Sequence, residues 1–151
     1  MTSPNEHKEI VRLEVERAWN EGDLEVIDDL FAADSIDHVP LVPMEIRGPE
    51  GHKQLINAFR STFPDLEVTI HEMIAEGDLV ARRVIIRGTH DGDFVGIDPT
   101  GEEIEVAGLV LVRFEDGKIA ESWANFDALG ILQQIGKGVS IGDLQTKSAF
   151  F

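Results

Sequence analysis

No cysteine occurs among the 151 residues. Disulfide pairing and thiol chemistry are therefore excluded, and the composition fits a reducing cytoplasm. Tyrosine is absent as well, so no phenolic hydroxyl can act as an oxyanion donor. No run of about 20 apolar residues is present, and the opening MTSPNEHKEI lacks a signal-like apolar stretch. Neither secretion nor membrane spanning is expected. Basic residues are scarce, 13 against 29 acidic ones, for a net charge of −16. That average field repels phosphate backbones and anionic membranes, and Arg82-Arg83 is the only adjacent basic pair. Nucleic-acid and membrane partners are not expected. The five histidines show no HxxxH or HxH spacing, so no metal site is expected.

What is present is a clear change of period. From about Lys8 to Glu21, Val11, Val15, Ala18 and Trp19 form a helical apolar stripe, after residues 1–7 that are expected to fray. Gly22 ends this helix. Asp23 can cap a second, with Leu24, Ile27 and Phe31 on one face. Ser35–Val39 reads as a short strand, broken by Pro40 and Pro43. Pro49 suits the first turn of a third helix that reaches Phe63, striped with His52, Leu55, Ile56, Phe59 and Phe63.

From Leu66 the period becomes two, with Val68, Ile70 and Glu72 on one face. Glu76-Gly77-Asp78 turns into a strand over Leu79–Thr89. His90–Gly101 is a long hairpin connection, and Glu102–Phe114 is the next strand. Asp116-Gly117 marks a tight turn into a last strand, Lys118–Phe126. Asp127 then caps a helix with Leu129, Leu132 and Ile135 at helical spacing.

Three helices followed by a meander of strands predict one α+β domain over residues 1–151, with its core in 8–136 and an irregular tail in 137–151 where Phe150 and Phe151 can dock. A cone-shaped, curved antiparallel sheet is expected, with three N-terminal helices on one face and a short C-terminal helix. The other face carries Leu109, Leu111 and Trp123. A second copy of the chain, forming a homodimer through the sheet, is the simplest cover for it.

Four stretches carry a resemblance: WNEGDLEVIDDLFAADSIDH, GPEGHKQLINAFRSTFPDLEVTI, GTHDGDFVGIDPTGEEI and EDGKIAESWANFDALGILQQIG. In that order they resemble the SnoaL-like polyketide cyclase (ester cyclase) family. The resemblance implies the nuclear transport factor 2-like cone, dimers through the sheet and small hydrophobic ligands. It also implies ring closure of a polyketide ester by intramolecular aldol chemistry without metal or cofactor. The family's catalytic aspartate falls on Ala124, and a pocket histidine of the preceding strand falls on Val110. Asp127 matches a family aspartate at the start of the last helix and is a further candidate, with a helix cap as its other reading.

Aldol chemistry needs a base beside a carbonyl carbon and a donor for the enolate oxygen. With Ala124 in the usual position, Asp37 and His38 are the candidate displaced bases. They are neighbours on a strand, so one of the two reaches the cavity. The expected lining is Trp19, Phe59, Phe63, His90, Val110, Val112, Phe114, Ser122, Ala124 and Phe126. His52 is expected to be a satisfied packing residue, while His7 and His71 are expected to be solvated. Arg82 and Arg83 point to opposite faces, so one can meet an acid inside the cone.

Two functions remain open: a cofactor-free cyclase or isomerase of a hydrophobic carbonyl compound, and a binder of such a molecule without chemistry. An interaction protein using only the sheet face ranks below both. A carboxylate beside a buried donor in the cone favours the enzyme; an all-apolar lining favours the binder.

Overall fold

The computed structural model describes residues 3–136. The order is α1 (Pro4–Leu13), a wider π-helical run (Glu14–Asn20), α2 (Val26–Leu30), β1 (Phe31–His38), β2 (Ile46–Arg47), α3 (Gly48–Thr62), β3 (Glu67–Glu76), β4 (Leu79–Thr89), β5 (Glu103–Glu115), β6 (Lys118–Phe126) and α4 (Ala128–Ile135). Phe150 and Phe151 lie outside the described residues.

The strands form one sheet in the order β2-β1-β6-β5-β4-β3. β3 to β6 are the expected meander, each antiparallel to the next. β1, however, runs parallel to β6, so the sheet is mixed and not antiparallel throughout. The chain leaves β1, passes through α3 to the far edge at β3, and after three hairpins brings β6 back beside β1 in the same direction.

The helices cover one face. Along β5 the layout of the interior can be read directly. Phe114 and Val112 join one buried cluster with Val11, Ile27, Ile56 and Val80. At the other end Val106 and Ile104 join a second cluster with Phe63, Ile131 and Ile135. Between the two, Val110 and Gly108 border a cavity.

Several local expectations change. The first helix starts at Pro4, not near Lys8, because Ser3 caps it by accepting from the Glu6 N–H. It ends at Leu13, and the chain widens into the π-helical run that carries Glu14, Val15 and Ala18 inward. Asp23 is not a cap; it pairs with Arg17 at 2.6 Å, and Glu25 precedes α2. Phe31 belongs to β1, which begins four residues before the expected Ser35. An irregularity between Ile70 and Glu72 shifts the register, so Glu72 lies outside, bound to Arg83, and half-buried Met73 takes the inward place. In α4 it is Ile131 and Ile135 that are buried, while Leu129 is exposed. His7 is not solvated: it is buried and stacks on Phe114 with ring centroids 4.1 Å apart.

Candidate active site

Four segments deliver charged side chains to one cavity. Glu14 opens the π-helical run, Asp37 comes from β1, His52 from α3 and Arg82 from β4. All four are buried. A π-helical turn inside a helix rotates the following residues relative to an α-helix and is a recurrent device at functional sites. Here it begins at Glu14 itself.

The sheet sets the spacing. Asp37 lies beside Ser122 in the parallel β1–β6 pair, and Ser122 lies beside Val112. Two residues further along β6, Ala124 pairs with Val110, which pairs with Arg82. The next inward positions are Phe126, Gly108 and Val84. The cavity of about 80 Å³ thus has Asp37 and Ser122 at one edge, Arg82 at another, and Ala124 and Val110 between them. Trp19, Leu55, Phe59, Val68 and Ile86 make most of the remaining wall apolar.

The polar groups form a chain. The Ser122 hydroxyl donates to Asp37 Oδ1. His52 Nδ1 lies 2.8 Å from Asp37 Oδ2. Its Nε2 lies 3.2 Å from Glu14 Oε1, and Arg82 Nη1 lies 3.2 Å from Glu14 Oε2. The last two approaches are ion-pair contacts without hydrogen-bond alignment, so Glu14 Oε2, His52 Nε2 and Arg82 Nε and Nη1 have no hydrogen-bond partner within the protein. The Trp19 indole N–H contributes to the field at Glu14, again without full alignment.

Burial by itself would depress the pKa of His52. The bond to Asp37 and the contact with Glu14 outweigh burial and raise it to about 9. Burial would likewise raise Glu14, but the Arg82 charge and His52 outweigh it and hold the carboxyl at about 2. At neutral pH the cavity therefore presents a His52 imidazolium beside a Glu14 carboxylate. Both His52 nitrogens face carboxylates, and among the described residues no group of three or more His, Asp or Glu is arranged to hold a metal.

The sequence candidates separate as follows. Asp37 faces the cavity. His38 points to the opposite sheet face, where it pairs with Glu121 at 2.7 Å and stacks on Trp123. Asp127 is outside the cavity lining and caps α4, accepting from the Gly130 N–H at 2.8 Å. Trp19, Phe59, Val110, Ser122, Ala124 and Phe126 line the cavity; Phe63, Val112 and Phe114 are packed in the two clusters instead. His90, also expected in the lining, is outside it and fully buried, accepting from the Thr100 N–H through Nδ1 at 3.2 Å. His52, expected to be a packing residue, bridges two carboxylates. Arg82 meets an acid inside while Arg83 meets Glu72 outside. Glu14 escaped the sequence reading, although it sits three residues after Val11 and four before Ala18, inside the apolar stripe.

A family model for the SnoaL-like polyketide cyclases matches residues 9–135. The chain belongs to the SnoaL-like polyketide cyclase family. Among its relatives, nogalonic acid methyl ester cyclase of Streptomyces nogalater is 30% identical over 123 residues, 79% of this chain and 90% of that protein. The aklanonic acid methyl ester cyclase DnrD of Streptomyces peucetius is 28% identical over 136 residues, 85% of this chain and 90% of the relative. Solved structures agree. TsrD of Streptomyces laurentii superposes with a TM-score of 0.80 at 28% identity, covering 90% of this chain and 98% of its own. IdmH of Streptomyces antibioticus gives 0.76 at 34% identity, covering 86% and 98%. This SnoaL-like chain has an α+β fold with a curved, unclosed six-stranded sheet. Among the described residues no helix is long and apolar enough to cross a membrane.

Proposed function

We propose that this SnoaL-like protein is a cofactor-free cyclase or isomerase of a hydrophobic carbonyl compound, with Asp37 as the base. One observation carries the reading: a carboxylate bonded to a buried imidazole and a buried hydroxyl at the edge of a cavity whose remaining wall is mostly apolar. The relatives named as methyl ester cyclases supply the substrate class, a methyl ester.

In this scheme Asp37 removes a proton from the carbon beside a carbonyl. The C–H electron pair moves into the enolate, whose oxygen is met by the free N–H groups of Arg82. The enolate carbon attacks a second carbonyl of the same molecule, one C–C bond forms, and the new alkoxide takes a proton back from Asp37. His52, held as a cation, stabilises the Asp37 carboxylate and fixes its orientation. A low-dielectric cavity strengthens each of these contacts. Ala124, where the resemblance puts the family's acid, leaves room for the substrate carbon next to Asp37.

Turnover of a polyketide-type methyl ester is the test. Asp37→Asn should lower kcat at least about 100-fold, the usual worth of a general base, while His38→Ala leaves it unchanged. Equal activity in wild type and Asp37→Asn would reject the scheme. A second reading, binding without chemistry, draws on Ala124 and Val110, which offer no proton. Bound ligand in native mass spectrometry with no conversion across a panel of carbonyl compounds would favour it. We place the protein in the cytoplasm as a homodimer through the outer sheet face.

A further inference from the structure

Outside the inner cavity lies a wider apolar bowl of about 430 Å³. Inner cavity and bowl share Val39, Leu55, Phe59 and Phe126, so the two lie side by side. The inner space alone is too small for a hydrophobic ester of several rings, since small-molecule sites run to several hundred Å³. Two loops rim the bowl, and both have unusual backbones.

Among the described residues three that are not glycine have positive φ: Leu41 at 72°, Val95 at 43° and Asp116 at 51°. Asp116 precedes Gly117 in the Asp-Gly turn that favours this geometry. The other two break the rule. Val39-Pro40-Leu41-Val42 closes with the Val42 N–H donating to the Val39 carbonyl at 3.3 Å. Proline at the second place and positive φ at the third make this a type II turn, whose third place belongs to glycine or asparagine. Phe94 and Ile97 exchange backbone bonds of 3.0 and 2.8 Å around Val95-Gly96, both at positive φ. That is a type I′ turn, and a β-branched residue in its first central place is a true outlier. Leu41 and Val95 are 51% and 57% exposed, and both line the bowl. The second loop is bolted down behind its tip, where the Thr62 hydroxyl donates to the Asp93 carbonyl at 2.8 Å and the Asp91 and Gly92 N–H groups donate to the Thr62 carbonyl at 3.0 Å.

We infer that Leu41 and Val95 are specificity-determining rim residues, which grip the apolar body of the ligand whose carbonyl end reaches Asp37. The inference rests on the proposed carbonyl chemistry for the identity of that occupant. Backbone strain costing of order 1 kcal/mol persists in a fold only where something opposes its removal, and two apolar side chains strained at one rim share one such reason. Polar or glycine residues would relax both turns and remove the grip.

Stability and binding should consequently move in opposite directions. The probe is Nile red, a flat, neutral, hydrophobic ketone, followed by fluorescence titration. Val95→Asn and Leu41→Asn should each raise Tm by a few degrees and weaken dye binding roughly five- to tenfold. Val95→Leu, which keeps an apolar tip, should bind like wild type. Unchanged binding in Val95→Asn, a lowered Tm in it, or no saturable binding by wild type would each overturn the inference. The two proposals have separate readouts: Asp37→Asn tests the chemistry through turnover, which should fall at least about 100-fold, and Val95→Asn tests the rim through dye affinity. Loss of turnover in Asp37→Asn alongside intact binding in Val95→Asn would remove the rim and leave the chemistry standing.

Discussion

His52 is the residue on which the buried charges depend, since it touches Asp37 at 2.8 Å and Glu14 at 3.2 Å. Removing the Glu14 charge should therefore lower the His52 pKa from about 9. An NMR titration of the ring in Glu14→Gln reads this directly, and an unmoved titration would show that the two are not coupled. The same linkage governs stability. His52 is raised from 6.5 to about 9, so its contribution is full below pH 6.5 and is lost as pH rises through about 9. Glu14 is lowered from 4.5 to about 2, so its contribution is full above pH 4.5 and is lost as pH falls through about 2. Both are complete between pH 4.5 and 6.5. Thermal melts should show Tm falling from pH 6.5 toward 9, a decline that His52→Gln flattens. At this scale the sequence was only partly readable. Alternation narrowed the inward group to Asp37 or His38, but the choice depends on the register of β1 against β6, a contact 85 residues away for Asp37 and Ser122. Glu14 could have been found as a charge inside an apolar stripe. Its partners, on α3 and β4, could not.

Among the elements, α4 shows how one residue can serve structure while resembling a catalytic group. Asp127 accepts from the Gly130 N–H, and a side chain on Gly130 would collide with that carboxylate. Asp127→Ala should cost about 1 kcal/mol in urea unfolding, the usual worth of a cap, and leave kcat untouched. A large loss of turnover at unchanged stability would return Asp127 to the chemistry. The hairpin strands were legible because their punctuation is local: Glu76-Gly77-Asp78 and Asp116-Gly117 fix where β4 and β6 begin. The π-helical run and the parallel β1–β6 pair were not, because distant partners hold them. Asn20 donates to the Val68 carbonyl at 2.9 Å and accepts from its N–H at 2.7 Å, pinning the end of the run to the edge strand. Arg60 donates to the Trp19 and Asn20 carbonyls at 2.8 and 3.0 Å. Those bonds hold the segment that carries Glu14 and Trp19 into the cavity, and no periodicity in residues 14–20 announces them.

For the molecule as a whole, the sheet's outer face remains to be accounted for. Leu109 and Leu111 are 56% and 38% exposed, and Leu111 pairs with Trp123 across β5 and β6. Polar pairs border this patch: His38 and Arg113 both engage Glu121, at 2.7 and 3.5 Å. An apolar centre with a charged rim has the composition of a protein interface, and a two-fold axis lets one patch cover its own copy. Two chains of net charge −16 repel each other at long range, so salt should strengthen their association by screening. Light scattering at micromolar concentration should find a dimer in wild type. Leu111→Glu, which places a carboxylate at the centre of the patch, should give a monomer. Because that side chain points away from the cavity, the monomer should keep its Nile red affinity. A monomeric wild type would overturn the dimer, and loss of dye binding in Leu111→Glu would show that the outer face and the cavity are not independent.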